Sequence, residues 1–257
     1  MNRGIASEFV WEGKSVSVIL MTYRERDSIR RVVNDFWATG LVDEVVVVNN
    51  NAEPGTTDAI AGTGAREVLE GRQGYGYATQ RGLRESTGDL VIIAEPDATF
   101  SANDIRKLLV YSGECDVVFG TRTTKEFIWH GANMGFVLRW GNWAVAKLIE
   151  VLFNTSHLSD VGCSYRLLTR ESIEKIQDRF STGGSHFGPE LMLLVITSGL
   201  RFVEVPVSYM PRVGQSAVTG HRPTAIRLGF RMVALVASWR IRTLGRATRP
   251  TRRTLAE

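Results

Sequence analysis

The 257-residue sequence predicts an α/β protein with a largely parallel central sheet, helices on both faces and an amphipathic helical extension at the C-terminus. Three observations predict this. Short apolar runs alternate with segments of helical period. Most of those runs are apolar at every position, the pattern of strands covered on both faces. Polar residues cluster directly after the runs, where open α/β sheets bind ligands.

The first run, SVSVILMT at residues 15–22, reads as a strand. Asp27 caps the helix that follows, SIRRVVNDFWATG, and Gly40 ends it. DEVVVV at 43–48 is a second strand, and it runs straight into Asn49, Asn50 and Asn51. A short helix follows Pro54. A helix over 75–85 is entered through the loop EGRQGYG, whose glycines could offer backbone N–H groups to an anion or simply turn the chain. That loop follows no clear strand, so it is not a dinucleotide fingerprint. Residues 90–94 are the next strand, Ser101 caps a helix over 102–111, and DVVFG at 116–120 is a further strand.

The composition, 44% hydrophobic and 23% charged, is enough for one full core. No linker or repeat divides the chain, so a single domain over 1–220 and a basic amphipathic segment over 221–257 are expected. Cys115 and Cys163 stand far apart without metal-ligand spacing, which suggests a reducing compartment. The N-terminus does not read as a signal peptide, and no stretch approaches the ~18 apolar residues of a membrane span. Nine arginines and no acidic residue lie between Arg222 and Arg253, which leaves the rest of the chain net acidic. Such a segment suits a membrane surface, a nucleic acid or a phosphorylated ligand, or it is merely solvated. No nucleic-acid recognition motif accompanies it, so no nucleic-acid partner is expected.

The strand VIIA at 91–94 ends in Glu95-Pro96-Asp97. Two carboxylates two residues apart can share one divalent cation, Mg2+ or Mn2+, with substrate phosphates completing its shell. The structural alternative is that Asp97 caps the next helix and Glu95 pairs with a surface arginine. Tyr23-Arg24-Glu25, the three asparagines and Arg122 follow the other strands, so four strand ends converge on one polar region.

These segments together, VSVILMTYRERDSIRRVV, DEVVVVNNN, GRQGYGYATQRGLRESTGDLVIIAEPDATF and CDVVFGTRTT, resemble the family 2 glycosyltransferases with a GT-A fold. E-P-D stands where that family carries its D-x-D signature. SDVGCSYRLLTR at 159–170 resembles the S-D-L-T-G-S-F-R segment of dolichol-phosphate mannose synthases and related polyprenyl-phosphate glycosyltransferases. FGPELMLLVITSGLRFVEVPVSYMPRVGQS at 187–216 matches their F-x-x-E, G-x-x-x-x-E-V-P-V and R-x-G-x-S pattern. The resemblance covers roughly residues 15–218. It implies a GT-A fold and a sugar nucleotide with UDP or GDP. Asp97 is implied as the direct metal ligand. Glu95 binds the metal directly, acts through a water or holds the ribose, since the family has aspartate there. Thr22, Tyr23, Glu25, Asn49, Asn50 and Arg72 are implied at the donor. Arg122, Arg166 and Arg212, joined by Arg139, would surround the phosphates, because guanidinium groups donate paired hydrogen bonds to phosphate oxygens. Ser164 and Ser216 fall on the acceptor side. Ala217 stands where the family often has lysine.

The acceptor decides the chemistry. A hydroxyl needs a carboxylate base, for which Asp160 and Glu190 are the candidates. A lipid phosphate is already anionic and needs cations instead. The Trp-rich segment at 127–153 and the Arg-flanked apolar segment at 225–246 favour the lipid, with peripheral contact at the cytoplasmic face of the membrane. The expected activity is metal-dependent inverting transfer of a sugar to a polyprenyl phosphate. A hydroxyl acceptor and a non-catalytic nucleotide-binding module are the alternatives. The sequence leaves the oligomeric state open.

Overall fold

Among the described residues seven strands form: β1 (Val16–Thr22), β2 (Glu44–Asn49), β3 (Arg66–Leu69), β4 (Leu90–Ala94), β5 (Val117–Thr121), β6 (Arg166–Thr169) and β7 (Phe202–Pro206). They make one sheet in the order β3-β2-β1-β4-β6-β5-β7. The computed structural model describes residues 11–132, 135–214 and 222–244. Helices are α1 (Arg26–Ala38), α2 (Thr56–Ile60), α3 (Tyr75–Glu85), α4 (Ile105–Leu109), α5 (Phe136–Phe153), α6 (Arg170–Ile176), α7 (Phe187–Thr197) and α8 (Arg222–Arg242).

The sheet is mixed. β6 runs antiparallel to both β4 and β5, while the other pairs are parallel. This has a consequence for function. The carboxyl ends of β1, β2, β4 and β5 share one edge, and β6 enters the sheet at that same edge, with Arg166 opposite Ile93. The loop before β6 is therefore delivered to the strand ends.

Side chains alternate across the sheet. Val16, Val18 and Leu20 face a core with Ile29, Val33 and Phe36 of α1, while Ile19 and Met21 face the core beneath α3, α5 and α7. α8 joins this second core through Met232 and Val236, with Trp239 packed against it. None of the described helices is long and apolar enough to cross a membrane.

Several local expectations change. α1 starts at Arg26 with Glu25 at its cap position and no side-chain cap, so Asp27 lies in the first turn rather than capping it. Ser101 makes no side-chain cap, and a 3-10 turn, Ala102–Asp104, precedes α4. A strand, β3, does precede the glycine loop, as the short outer neighbour of β2.

Candidate active site

The turn after β4 begins the site. Ala98 adopts a left-handed φ of 64°, which turns the chain back on itself just past Asp97. A non-glycine residue in that region is strained, and such strain gathers at functional turns. Ser28 of α1 donates to Pro96 O at 2.7 Å and ties the turn to the first turn of α1. Asp97 is fully buried, and its Oδ1 accepts from Thr99 N–H at 2.9 Å and Thr99 Oγ1 at 2.6 Å. Its Oδ2 takes no hydrogen bond and forms an ion pair with the Nη2 of Arg212.

Arg212 gathers three carboxylates. Besides Asp97, its Nη2 donates to Glu95 Oε2 at 2.9 Å, and Nη1 lies 3.9 Å from Glu25 Oε1. Glu95 Oε1 accepts from Ser164 Oγ at 2.7 Å. Although 28% of the Glu95 side chain is exposed, the surrounding protein and then the charge of Asp97 push its carboxyl up to about 7, against the pull of Arg212 and Ser164. Burial alone would lower Arg212, but the charges of Asp97, Glu95 and Glu25 hold it above its ordinary value.

These residues fit a divalent ion by one specific test. A buried carboxylate oxygen without a hydrogen bond, Asp97 Oδ2, faces a second carboxylate, and both offer the hard oxygen ligands that Mg2+ and Mn2+ take. Among the described residues no group of three or more metal-ligating side chains is placed to hold an ion alone. Substrate oxygens would have to complete the shell.

A second ion pair stands behind the first. Arg122 donates Nε and Nη2 to Asp160 at 2.9 and 3.0 Å, and its N–H donates to the same carboxylate at 3.0 Å. Burial alone would raise Asp160, but the Arg122 charge and these hydrogen bonds hold it below the usual carboxylate range. Glu204 of β7, the glutamate of the E-V-P-V pattern to which the sequence reading gave no role, accepts Ser159 N–H, Ser159 Oγ and Asp160 N–H and fixes the loop from below. Burial raises its carboxyl above the ordinary value. An acidic residue inside the otherwise apolar strand FVEVP was the signal that could have revealed this role. Tyr209, also missed, lies under Arg122 with its ring centre 5.2 Å from the guanidinium carbon.

Other candidate residues are engaged elsewhere. Arg166 is buried and donates to the carbonyls of Cys163, Gly188 and Val161, so it shapes the loop before β6. Glu190 is buried at the start of α7 and accepts from Ser181 N–H, Ser181 Oγ and Thr182 N–H. Asn50 is buried; its amide donates to Glu70 O and Arg72 O and its oxygen accepts from Gly74 N–H and Gln73. Asn49 bonds Glu67 and Ala52 N–H. Arg72 pairs with Glu70 and lies over Tyr77. Thr22 and Tyr23 N–H both reach Glu25, which keeps the end of β1 beside the carboxylates. Arg139 is half-buried in the first turn of α5. Ser216 lies outside the described residues.

The N–H groups of Gly74 and Gly76 in the glycine loop are engaged within the protein rather than by an anion. Gly76 and Tyr77 donate to Gly183 O at 2.9 and 3.2 Å, and Gly74 donates to Asn50. The glycines serve close approach instead, because a Cβ on Gly76 would stand 2.2 Å from Thr182 O.

With this geometry in view, comparison with known proteins defines the class. The glycosyl transferase family 2 model matches residues 17–177, and the chain belongs to that family and is a glycosyltransferase. A low-salt glycan biosynthesis hexosyltransferase of Haloferax volcanii is 25% identical over 79% of this chain, and this chain spans about half (49%) of that protein. A dolichyl-phosphate hexose transferase of the same organism is 28% identical over 78% of this chain and 85% of its own length. An uncharacterized glycosyltransferase of Mycobacterium tuberculosis is 28% identical over 89% of this chain and 98% of its own. Among solved structures, glucosyl-3-phosphoglycerate synthase of M. tuberculosis, in complex with Mn2+, UDP-glucose and phosphoglyceric acid, superimposes with a TM-score of 0.70. It is 18% identical, over 89% of this chain and 80% of that one, and shares the GT-A-like fold.

Proposed function

We propose that this glycosyltransferase moves a sugar, with inversion, from a UDP- or GDP-sugar to a polyprenyl phosphate at the cytoplasmic face of a membrane. Asp97 and Glu95 would hold Mg2+ or Mn2+ together with the donor diphosphate. When bound, such an ion neutralises charge on the departing nucleotide. Thr99 orients Asp97, Ser164 orients Glu95, and Arg212, which bonds Glu95, would meet the same phosphates. The Mn2+ and UDP-glucose named in the solved complex support this donor chemistry.

The observation that carries the acceptor is the state of the two candidate bases. Asp160 is bound by Arg122, and Glu190 by Ser181 and Thr182. Both carboxylates already accept several protein donors, which disfavours either as the base for a hydroxyl. An anionic acceptor needs no such base, and similarity to a dolichyl-phosphate hexose transferase supports a lipid phosphate.

The outer face of α8 supports membrane contact, with 221–257 as the associating segment and 1–220 as the catalytic domain. Ile226, Phe230, Val233, Ala237, Ile241 and Leu244 recur every three or four residues and are exposed, opposite the core stripe of Met232 and Val236. Phe230 is 73% exposed. Arg227, Arg231 and Arg242 flank that outer stripe on one side and Arg240 on the other, the arrangement of an interfacial helix. Trp239 turns inward, so Phe230, not Trp239, is the ring available to lipid. Trp140 and Trp143 of α5, in edge contact at 5.3 Å, are also exposed.

The test is to incubate the protein with Mg2+ or Mn2+, UDP- and GDP-sugars and short-chain polyprenyl phosphate, and to seek a glycosylated lipid phosphate by mass spectrometry. A product abolished by EDTA is expected. Nucleotide release without lipid product, restored by a soluble hydroxyl acceptor, would overturn the lipid reading. Phe230→Asp should release the protein from anionic liposomes; unchanged binding would remove α8 from the membrane contact.

A further inference from the structure

Arg212 enters the carboxylate cluster in an unusual way. It comes from the segment after β7, which is pinned to the E-P-D turn by its backbone. Met210 N–H donates to Thr99 O at 2.8 Å, and Val213 N–H donates to Asp97 O at 2.9 Å. The two bonds bracket Arg212 and fix its Cα beside Asp97, whatever the side chain does. The guanidinium then lies between Asp97 Oδ2, Glu95 Oε2 and Glu25 Oε1. It stands where a divalent ion bound to Glu95 and Asp97 would stand.

Its hold on that place is incomplete. Asp97 Oδ2 meets it without an aligned hydrogen bond. Three carboxylates share this one guanidinium. A doubly charged ion would satisfy Glu95 and Asp97 better, and the long side chain can turn away while its backbone stays fixed. A displaced guanidinium needs a new anion, and a diphosphate arriving with the ion supplies one.

We propose that Arg212 is a built-in stand-in for the divalent ion. Guanidinium and ion compete for the face formed by Glu95 and Asp97, and entry of the ion turns Arg212 toward the phosphates. The inference rests on the metal-dependent reading above. It adds two properties: the ion alone binds weakly, and ion and nucleotide bind with positive coupling, because each relieves a cost of the other. Without Arg212 the competition and most of the coupling disappear.

Calorimetry on the full chain tests this, with Mg2+ titrated alone and again with saturating UDP or GDP. Arg212→Gln is expected to bind Mg2+ alone about tenfold more tightly than the wild type, a change of about 1.4 kcal/mol. Arg212→Lys keeps the charge and should stay near the wild type. The gain in Mg2+ affinity that nucleotide provides should shrink in Arg212→Gln. Equal or weaker Mg2+ binding by Arg212→Gln would overturn the proposal. Absence of Mg2+ binding by every protein, with and without nucleotide, would overturn the metal-dependent reading itself. A measurement on the wild type guards against misfolding of the variant. The Nε–H resonance of Arg212, identified by its loss in Arg212→Lys, should shift as Mg2+ saturates the site. A resonance unmoved at saturation also overturns the proposal.

Discussion

Two partly buried arginines meet carboxylates at the same edge of the sheet, and they meet them differently. Arg122 and Asp160 form a closed unit. Two guanidinium nitrogens and two backbone N–H groups, of Arg122 and Gly162, complete the carboxylate. Arg212 and the E-P-D carboxylates form an open one. One oxygen of Asp97 lacks a hydrogen bond, Glu95 is pushed up to about 7, and Glu25 stands by at 3.9 Å. A closed pair fixes geometry, because breaking it strands a charge. An open cluster costs stability and persists where a ligand completes it.

The sharpest way to break the comparison is to neutralise one carboxylate of each kind. Asp97→Asn keeps the shape but removes the charge that would hold the ion. Turnover should fall by at least about a thousandfold, since metal stabilisation of a departing diphosphate is a matter of several kcal/mol and each 1.36 kcal/mol is tenfold. Urea denaturation should show no loss of stability, because like charges at the cluster are relieved. Near-normal turnover would remove Asp97 from the metal site.

Asp160→Asn should do the reverse to stability. Removing one partner of a buried, bonded pair strands Arg122 and costs on the order of 3–5 kcal/mol. The acid limb of the stability curve carries the same information. Asp160 titrates below its ordinary value when folded. Its contribution is therefore complete above the unfolded pKa, about 3.9, and is lost as pH falls below it through the folded value. The wild type should lose stability more steeply than Asp160→Asn below about pH 4. Parallel acid limbs would mean that the pair is weaker than its geometry.

Much of this frame was legible in the sequence. β1, β2, β4 and β5 are apolar at nearly every position, and periodicity reports that directly. β3, with the sequence REVL, and β6, RLLT, are four residues each and carry arginine, so no pattern marks them. The site was legible as a list of residue types and less so as directions. Asp97, Glu95 and Glu25 do converge. Arg166 carries the right chemistry for phosphate, yet three carbonyls engage it. A motif specifies which groups are near the strand ends; only packing decides which of them point at one another. The glycine loop makes the same point. Gly76→Ala would press a Cβ to 2.2 Å from Thr182 O. The expected cost is about 2 kcal/mol of stability, measured by thermal unfolding.

The smallest effect expected is also the one that separates orientation from charge within the open cluster. Ser164 comes from the loop that the antiparallel β6 draws to the strand ends, and its hydroxyl donates to Glu95 Oε1 at 2.7 Å. Ser164→Ala leaves every charge in place and removes this single donor to a carboxylate, an interaction of about 1.5–3 kcal/mol at most. Part of that is regained because Arg212 still holds the other oxygen of Glu95. Turnover should fall by about tenfold or less, with stability within about 1 kcal/mol of the wild type. If Glu95 serves by holding the donor, the loss falls on KM for the sugar nucleotide. A loss confined to the acceptor's KM would move Ser164 from the carboxylate to the acceptor, the role that its place in the S-D-V-G-C-S segment implies.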